Sequence, residues 1–292
     1  MRPEYPTGTV AVDRLGPADL VETFGFLDRD PVLNAYLLAL VLRDALSQPR
    51  DEYWAARRDG EIVALLHLGG QSGAMLPLGG DDDALAALGE QARQRLGFLP
   101  RRFQLIGPRV AVAPFLRRFE RSGARPRLER GQVYMALDPP RLAPFERLPL
   151  LTPARREDLA LIFDSGARLR LEELDEDPRE ADPIGYRRRV EEECRDGHTY
   201  LWRDDAGLCF RASVSALTSD AAQVSGVYTP PERRRRGLAR RGLSELCARL
   251  FERSRVVCLF VNDFNHAALE LYRRIGFEQR AEWCSYFYDA TR

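Results

Sequence analysis

The sequence contains no lysine, so all 44 of its basic side chains are arginine. An equal number of acidic side chains balances them, and the formal net charge at pH 7 is zero. That balance argues against a protein held to nucleic acid or to a membrane surface by bulk charge. Histidine is scarce: His67, His198 and His266 are scattered, and no zinc site follows from them. The five cysteines, Cys194, Cys209, Cys247, Cys258 and Cys284, are odd in number and confined to the second half. No pair has C-x-x-C spacing, which excludes a disulfide frame and reads as reduced core thiols in a cytoplasmic protein. Long apolar runs are missing too. The longest, Val32 to Leu42, contains Asn34 and is too short to span a bilayer. The start, MRPEYPTGTV, has no apolar signal core. No G-K-[ST] follows any glycine loop, which excludes a P-loop nucleotidase.

What is present is enough apolar sequence for a sizeable core. At 292 residues, 45% of them hydrophobic, the chain is long enough for one large domain or two ordinary ones. Met1 to Pro6 reads as a loose end, and Val10 to Val12 as a strand. Helices are expected over Ala18–Asp28 and Pro31–Leu46, then strands over Glu52–Arg57 and Glu61–Leu68 around the turn signal Arg58-Asp59-Gly60. A strand at Ala74–Leu78 leads to a helix capped by Asp81 or Asp82 and running to Leu96. Strand Phe103–Ile106, helix Ala113–Ser122 and strand Val133–Leu137 end the half. Asp138 to Pro149 carries four prolines and no periodicity, the composition of a linker.

The second half repeats the order. Strand Leu148–Leu151, helices Asp158–Leu169 and Ile184–Arg195, and strands Thr199–Arg203, Leu208–Thr218 and Val224–Thr229 come first. A helix from Leu238, strand Val256–Val261, a helix from Phe264 and strand Trp283–Tyr288 complete it. The repetition points to an internal duplication. The domain bounds read as 1–138, a linker at 139–147, and 148–292.

The most informative stretch is Val224 to Arg241, VSGVYTPPERRRRGLARR. Val224, Val227 and Tyr228 favour extended backbone, and Pro230 and Pro231 end the strand. After Gly237 the apolar residues Leu238, Leu243, Leu246, Leu250 and Phe251 recur at helical intervals. A short arginine-rich loop therefore delivers the chain into a helix N-terminus, where unpaired N–H groups and the helix dipole favour an anion. A diphosphate suits such a site. A nucleic-acid contact at Arg233–Arg236 is the other functional reading of the run.

Arg234-Arg235-Arg236-Gly237-Leu238-Ala239 resembles the R/Q-x-x-G-x-G/A pyrophosphate loop of GNAT-type N-acetyltransferases. The resemblance continues in Val261-Asn262-Asp263-Phe264-Asn265-His266-Ala267-Ala268 and in Leu271-Tyr272-Arg273-Arg274-Ile275-Gly276-Phe277. It covers the chain from Leu148 onward. It implies an α/β fold with a mixed sheet in tandem GNAT-like domains, and acetyl-CoA as co-substrate, with no metal. On the matching positions, the pantetheine arm would lie along Val227, Tyr228 and Thr229. The diphosphate would rest on the loop from Arg234 through Arg235, Arg236, Gly237 and Leu238 to Ala239. Asn262 and Asn265 would face the cofactor arm, and Tyr272 would be the general acid toward sulfur. Backbone N–H groups near Val227 and Tyr228, where the family has a strand bulge, would face the oxyanion. Asp263 reads as a helix cap.

The general base is open at this stage. Gln223 and Ser225 on the fourth strand are not useful bases. Glu172 and Glu173, in an acidic loop Leu171–Asp177, and a water relay from a distant carboxylate are the alternatives; Glu173 is taken as the candidate. The first half carries Leu78-Gly79-Gly80-Asp81-Asp82-Asp83 where a phosphate loop would be, and Phe119 where Tyr272 would be. Carboxylates at that helix start repel a diphosphate. The half resembles the N-terminal domain fused to a GNAT domain in some bacterial proteins, and is expected to be a degenerate copy. The expected acceptor is a small-molecule or peptide amine, with neither nucleic acid nor membrane as partner. The absence of lysine means that no lysine side chain of the protein itself is available for acetylation. The competing reading is a protein that binds an acyl-CoA without turning it over.

Overall fold

The computed structural model describes residues 8–289, so the loose end expected at residues 1–6 lies outside the described residues. The elements in chain order are β1 (Ala11–Leu15), α1 (Leu20–Leu27), α2 (Ala35–Asp44), β2 (Asp51–Arg58), β3 (Glu61–Gly69), β4 (Ala74–Gly79), α3 (Asp82–Gln94), β5 (Arg102–Pro108), α4 (Arg109–Phe119) and β6 (Pro126–Leu137). They continue with β7 (Thr152–Pro153), α5 (Leu159–Leu174), α6 (Pro178–Ala181), α7 (Pro183–Asp196), β8 (Thr199–Asp204), β9 (Gly207–Leu217), β10 (Ala221–Tyr228), α8 (Leu238–Leu250), β11 (Val256–Asn262), α9 (His266–Ile275) and β12 (Glu278–Asp289). Short 3-10 turns join several of them. The chain divides into two compact units. Of the described residues, the first comprises 8–134, 260–264 and 280–289; the second comprises 135–259 and 265–279.

In the first unit the strands run in the order β1-β2-β3-β4-β5-β12-β6. Period-two alternation sorts neighbouring strand residues to opposite faces. Ala55 and Leu65 join Leu27, Leu37 and Val41 of α1 and α2, while Ala56 and Leu66 join Leu85, Leu88 and Phe115 of α3 and α4. The hairpin expected at Arg58-Asp59-Gly60 forms, with φ of 51° at Asp59 and 87° at Gly60. Two successive residues with positive φ turn the chain with the twist of the strands.

The last strand is placed differently from the expectation that it completes the second half. β12 runs antiparallel to β5, from Trp283 opposite Pro108 to Asp289 opposite Arg102. Cys284 and Tyr288 are buried in the first unit's core. A strand's partner is chosen by tertiary packing, and chain order does not reveal it.

In the second unit the order is β11-β10-β9-β8-β7. α5 and α7 cover one face through Ile162, Ala167, Tyr186 and Val190. On α8, a Cβ added at Gly242 would lie 2.5 Å from the Phe210 ring of β9, so glycine lets helix and strand close up. Leu148–Leu151 is not a strand; only Thr152–Pro153 pairs, with Leu201 and Tyr200. The proline-rich segment before it is fastened to this unit. The Ala143 N–H donates to Ile275 O at 2.9 Å, and Arg241 donates to Arg147 O at 2.9 Å. Composition signals missing periodicity, and irregular backbone can still be pinned by side chains from elsewhere.

Candidate active site

β10 is the element that opens the site. It pairs in parallel with β11 only at Ala221, Ala222 and Gln223. Its other edge follows β9, but the register slips by one residue between Ser225, opposite Ser213, and Tyr228, opposite Arg211. Gly226 takes up the extra residue with φ of 59°, a backbone conformation suited to glycine. Among the described residues, β10 has no pairing with β11 from Val224 to Tyr228. Gly226 was missed in reading the sequence. A glycine inside a β-branched strand pattern was the available signal.

Thr229, Pro230 and a 3-10 turn from Pro231 to Arg233 lead into the loop. Arg235 has φ of 62°, unusual for a residue with a Cβ, and Gly237 follows with φ of 75° as the N-cap of α8. The α8 N-terminus has no side-chain cap. Leu238 and Ala239 stand in its first turn, where N–H groups lack helical acceptors. A Cβ at Gly237 would meet nothing within 4 Å, so the space over the helix start is open.

The four arginines divide into two pairs. Arg233 bonds Asp204 at 2.6 and 2.7 Å. Arg234 donates from Nε to Thr229 O at 2.9 Å and from Nη2 to Glu172 at 2.7 and 2.8 Å. Arg235 and Arg236 are exposed, with no ion-pair partner among the described residues. The basic run therefore offers two free guanidinium groups beside an uncapped helix. Buried in the same stretch, Tyr228 Oη and Thr229 Oγ1 have no hydrogen-bond partner. Tyr228, Arg233 and Arg236 also line a cleft of about 400 Å³ with Leu161, Asp164 and Arg168 of α5.

α9 carries the second set of residues. The cap expected at Asp263 is made instead by Asn265, whose Oδ1 accepts from the Ala268 N–H at 3.1 Å. Asp263 is exposed. A cap oxygen must reach back to the third N–H of the helix, and the helix begins at His266, which makes Asn265 the residue in place. Its NH2 group keeps its donors. Asn262 belongs to the first unit, where it accepts from Gln132 at 3.4 Å. Tyr272 is 6% exposed, and burial, with the charge of Glu173 next, holds its hydroxyl well above the usual phenol range. It stays protonated at neutral pH. Gly276 ends the helix with φ of 118°, and a Cβ there would collide with the Arg141 carbonyl.

The acidic loop expected at Leu171–Asp177 is in part helix. α5 runs through Leu174 and stops at Asp175, with φ of 52°. Leu and Glu are good helix formers, which the charge run obscured. Glu172 and Glu173 thus sit on a rigid last turn. Glu173 is exposed to solvent. Desolvation first, then Glu172, pushes its carboxyl up to about 6 against the pull of Arg170.

Among the described residues no group of three or more His, Cys, Asp or Glu side chains is arranged to hold a metal ion. Nor, among the described residues, is any helix long and apolar enough to cross a membrane.

Residues 209–287 match the family model of the FR47-like proteins. No curated protein matches the sequence. Among solved structures, the chain resembles a GCN5-related N-acetyltransferase from Sphaerobacter thermophilus, with a TM-score of 0.60 and 19% identity over 95% of both chains. It also resembles a tandem GNAT protein from the clavulanic acid biosynthesis pathway, with a TM-score of 0.57 and 18% identity over 97% of this chain and all of that one. A third likeness is a GNAT-family acetyltransferase from Colwellia psychrerythraea, with a TM-score of 0.56 and 11% identity over 95% and 99% of the two chains. The fold is that of the GNAT acetyltransferases, including tandem ones.

Proposed function

We propose that the second unit is an N-acetyltransferase that moves the acetyl group of acetyl-CoA to a primary amine of a small molecule or peptide. The observation carrying this reading is the uncapped, open start of α8 after a strand whose pairing with β11 stops at Gln223 and which is bulged at Gly226. A long ligand with a diphosphate at one end and amide groups along its arm fits that arrangement. Helix N–H groups from Leu238 and Ala239, with Arg235 and Arg236, would hold the diphosphate. The β10 edge at Val227, Tyr228 and Thr229 would bond the arm, and Asn265 would add an amide donor.

When bound, acetyl-CoA supplies a thioester whose carbonyl is open to a neutral amine. Glu173 accepts the amine's proton, directly or through water. Tyr272 donates its proton to sulfur, and N–H groups of the β10 bulge face the developing oxyanion. The buried, unbridged cysteines are consistent with a reducing, cytoplasmic setting.

Calorimetry of CoA on the full chain tests the donor side, and a screen of amines, peptides and aminoglycosides with thiol release tests the transfer. CoA binding with acceptor-dependent thiol release is expected. Binding without release from any acceptor would favour an acyl-CoA-binding protein without turnover. Absence of CoA binding would end both readings.

A further inference from the structure

Arg234 is the first arginine of the loop's R-x-x-G pattern, yet its side chain is taken up by partners other than the helix start. It lies over the Tyr228 ring, with its guanidinium carbon 5.8 Å from the centroid. Its Nε is fixed to the Thr229 carbonyl, and its Nη2 reaches both oxygens of Glu172 at 2.7 and 2.8 Å. Glu172 comes from the last turn of α5, far away in sequence, and is the neighbour of Glu173. The ion pair is partly exposed on both sides, 44% and 40%. Such a pair is weak and readily exchanged for a stronger anion.

We propose that Glu172 is a competitor for the cofactor's diphosphate: it holds Arg234 until the diphosphate displaces it, and so sets cofactor affinity. This rests on the reading of the α8 N-terminus as a CoA site. A diphosphate seated on the loop is a stronger, more highly charged acceptor than one carboxylate. When Arg234 turns to it, Glu172 loses its cation beside Glu173. The uncompensated negative charge makes Glu173 a better proton acceptor. Cofactor binding would therefore strengthen the base before the amine arrives, and by linkage the two events favour each other.

The test is calorimetry on the full chain with CoA and with pantetheine, which lacks the diphosphate. Wild type, Glu172→Gln, Arg234→Ala and the double variant are compared. Both positions are surface-exposed, and far-UV circular dichroism checks that the variants fold. Glu172→Gln should bind CoA about two- to fivefold more tightly, the range an exposed ion pair commands, and pantetheine no differently. Arg234→Ala should bind CoA more weakly, and adding Glu172→Gln to it should bring no gain. Unchanged or weaker CoA binding by Glu172→Gln, or an equal gain for pantetheine, would overturn the proposal while leaving the CoA site intact. Absence of CoA binding by the wild type would overturn the site itself and the competition with it.

Discussion

Under the proposed function, Glu173 would act as base and Tyr272 as acid. Burial raises the Tyr272 hydroxyl further above neutrality, and desolvation with Glu172 lifts the Glu173 carboxyl to about 6. Rate should therefore rise with pH as Glu173 loses its proton, at about 6 without cofactor and higher in a cofactor complex where Glu172 has lost Arg234. No falling limb from Tyr272 should appear below about pH 10, the unperturbed phenol value. In kcat/KM profiles for an identified acceptor, Glu173→Gln should lower the plateau and erase that rising limb. A limb unchanged in that variant would remove Glu173 from the role of base. Tyr272→Phe removes one hydroxyl and keeps the ring against Phe277, whose centroid is 5.8 Å away. Folding and CoA affinity should survive, because the hydroxyl is needed mainly as charge develops on sulfur. Turnover should fall by about 10²- to 10⁴-fold. Unchanged turnover would make Tyr272 a core aromatic only.

At the scale of elements, helix α8 carries two separable effects. Its N-terminus is open at Gly237, where φ is 75° and an added Cβ has free space. Asn and Asp both tolerate this backbone and have nearly the same shape. Each should cost some stability, because a side chain at φ of 75° is strained, yet Gly237→Asp should bind CoA about tenfold or more worse than Gly237→Asn. Equal CoA affinities in calorimetry would move the diphosphate elsewhere. Further along, Glu245 is buried against the strap before β7, accepting from Arg147 Nε at 2.8 Å, Leu148 N at 3.0 Å and Arg249 Nε at 2.8 Å. Burial raises its pKa, but these donors outweigh it and bring the carboxyl down to about 2. A depressed carboxyl stabilises the fold above its unfolded pKa and loses that contribution as pH falls through the folded value. Glu245 thus contributes about 3 kcal/mol at pH 7, lost between about pH 4.5 and 2. Urea unfolding of Glu245→Gln should show that loss at pH 7 and a shallower acid decline; an unchanged decline would contradict it. These elements differ in how well the sequence announces them. The Arg58-Asp59-Gly60 hairpin, the α8 start and the α9 run are local, and turn chemistry or periodicity reveals them. The β12 pairing, the fastening of the proline-rich strap and the loss of Arg234 to Glu172 depend on partners distant in sequence. The helical end of α5 was hidden for another reason: in LEELDED, charge density stood out more than helix propensity.

At the scale of the whole molecule, two units with the same order of elements present opposite surfaces to an anion. In the second, α8 starts without a side-chain cap, under open space. In the first, α3 starts at Asp81, which is 3% exposed and accepts from the Ala84 N–H at 3.0 Å. Arg58 binds the same carboxylate at 2.8 and 3.1 Å, so this helix start is satisfied from within. Gly79 is packed: a Cβ there would lie 2.7 Å from the Val63 carbonyl. Pro77 removes a donor from β4, and a Cβ at Gly107 of β5 would lie 3.2 Å from the Pro77 carbonyl, leaving no room for a pantetheine arm. Phe119 is fully buried, stacked on Phe115 at 5.6 Å between centroids. The expectation is one CoA per chain, bound by the second unit. Calorimetric stoichiometry on the full chain measures it directly. Asp81→Ala should cost the cap energy of about 1 kcal/mol and more for the stranded Arg58, without creating a second binding event. Two CoA per chain in the wild type, or a stoichiometry that Gly237→Asp leaves unchanged at full affinity, would place a cofactor on the first unit and reverse the assignment.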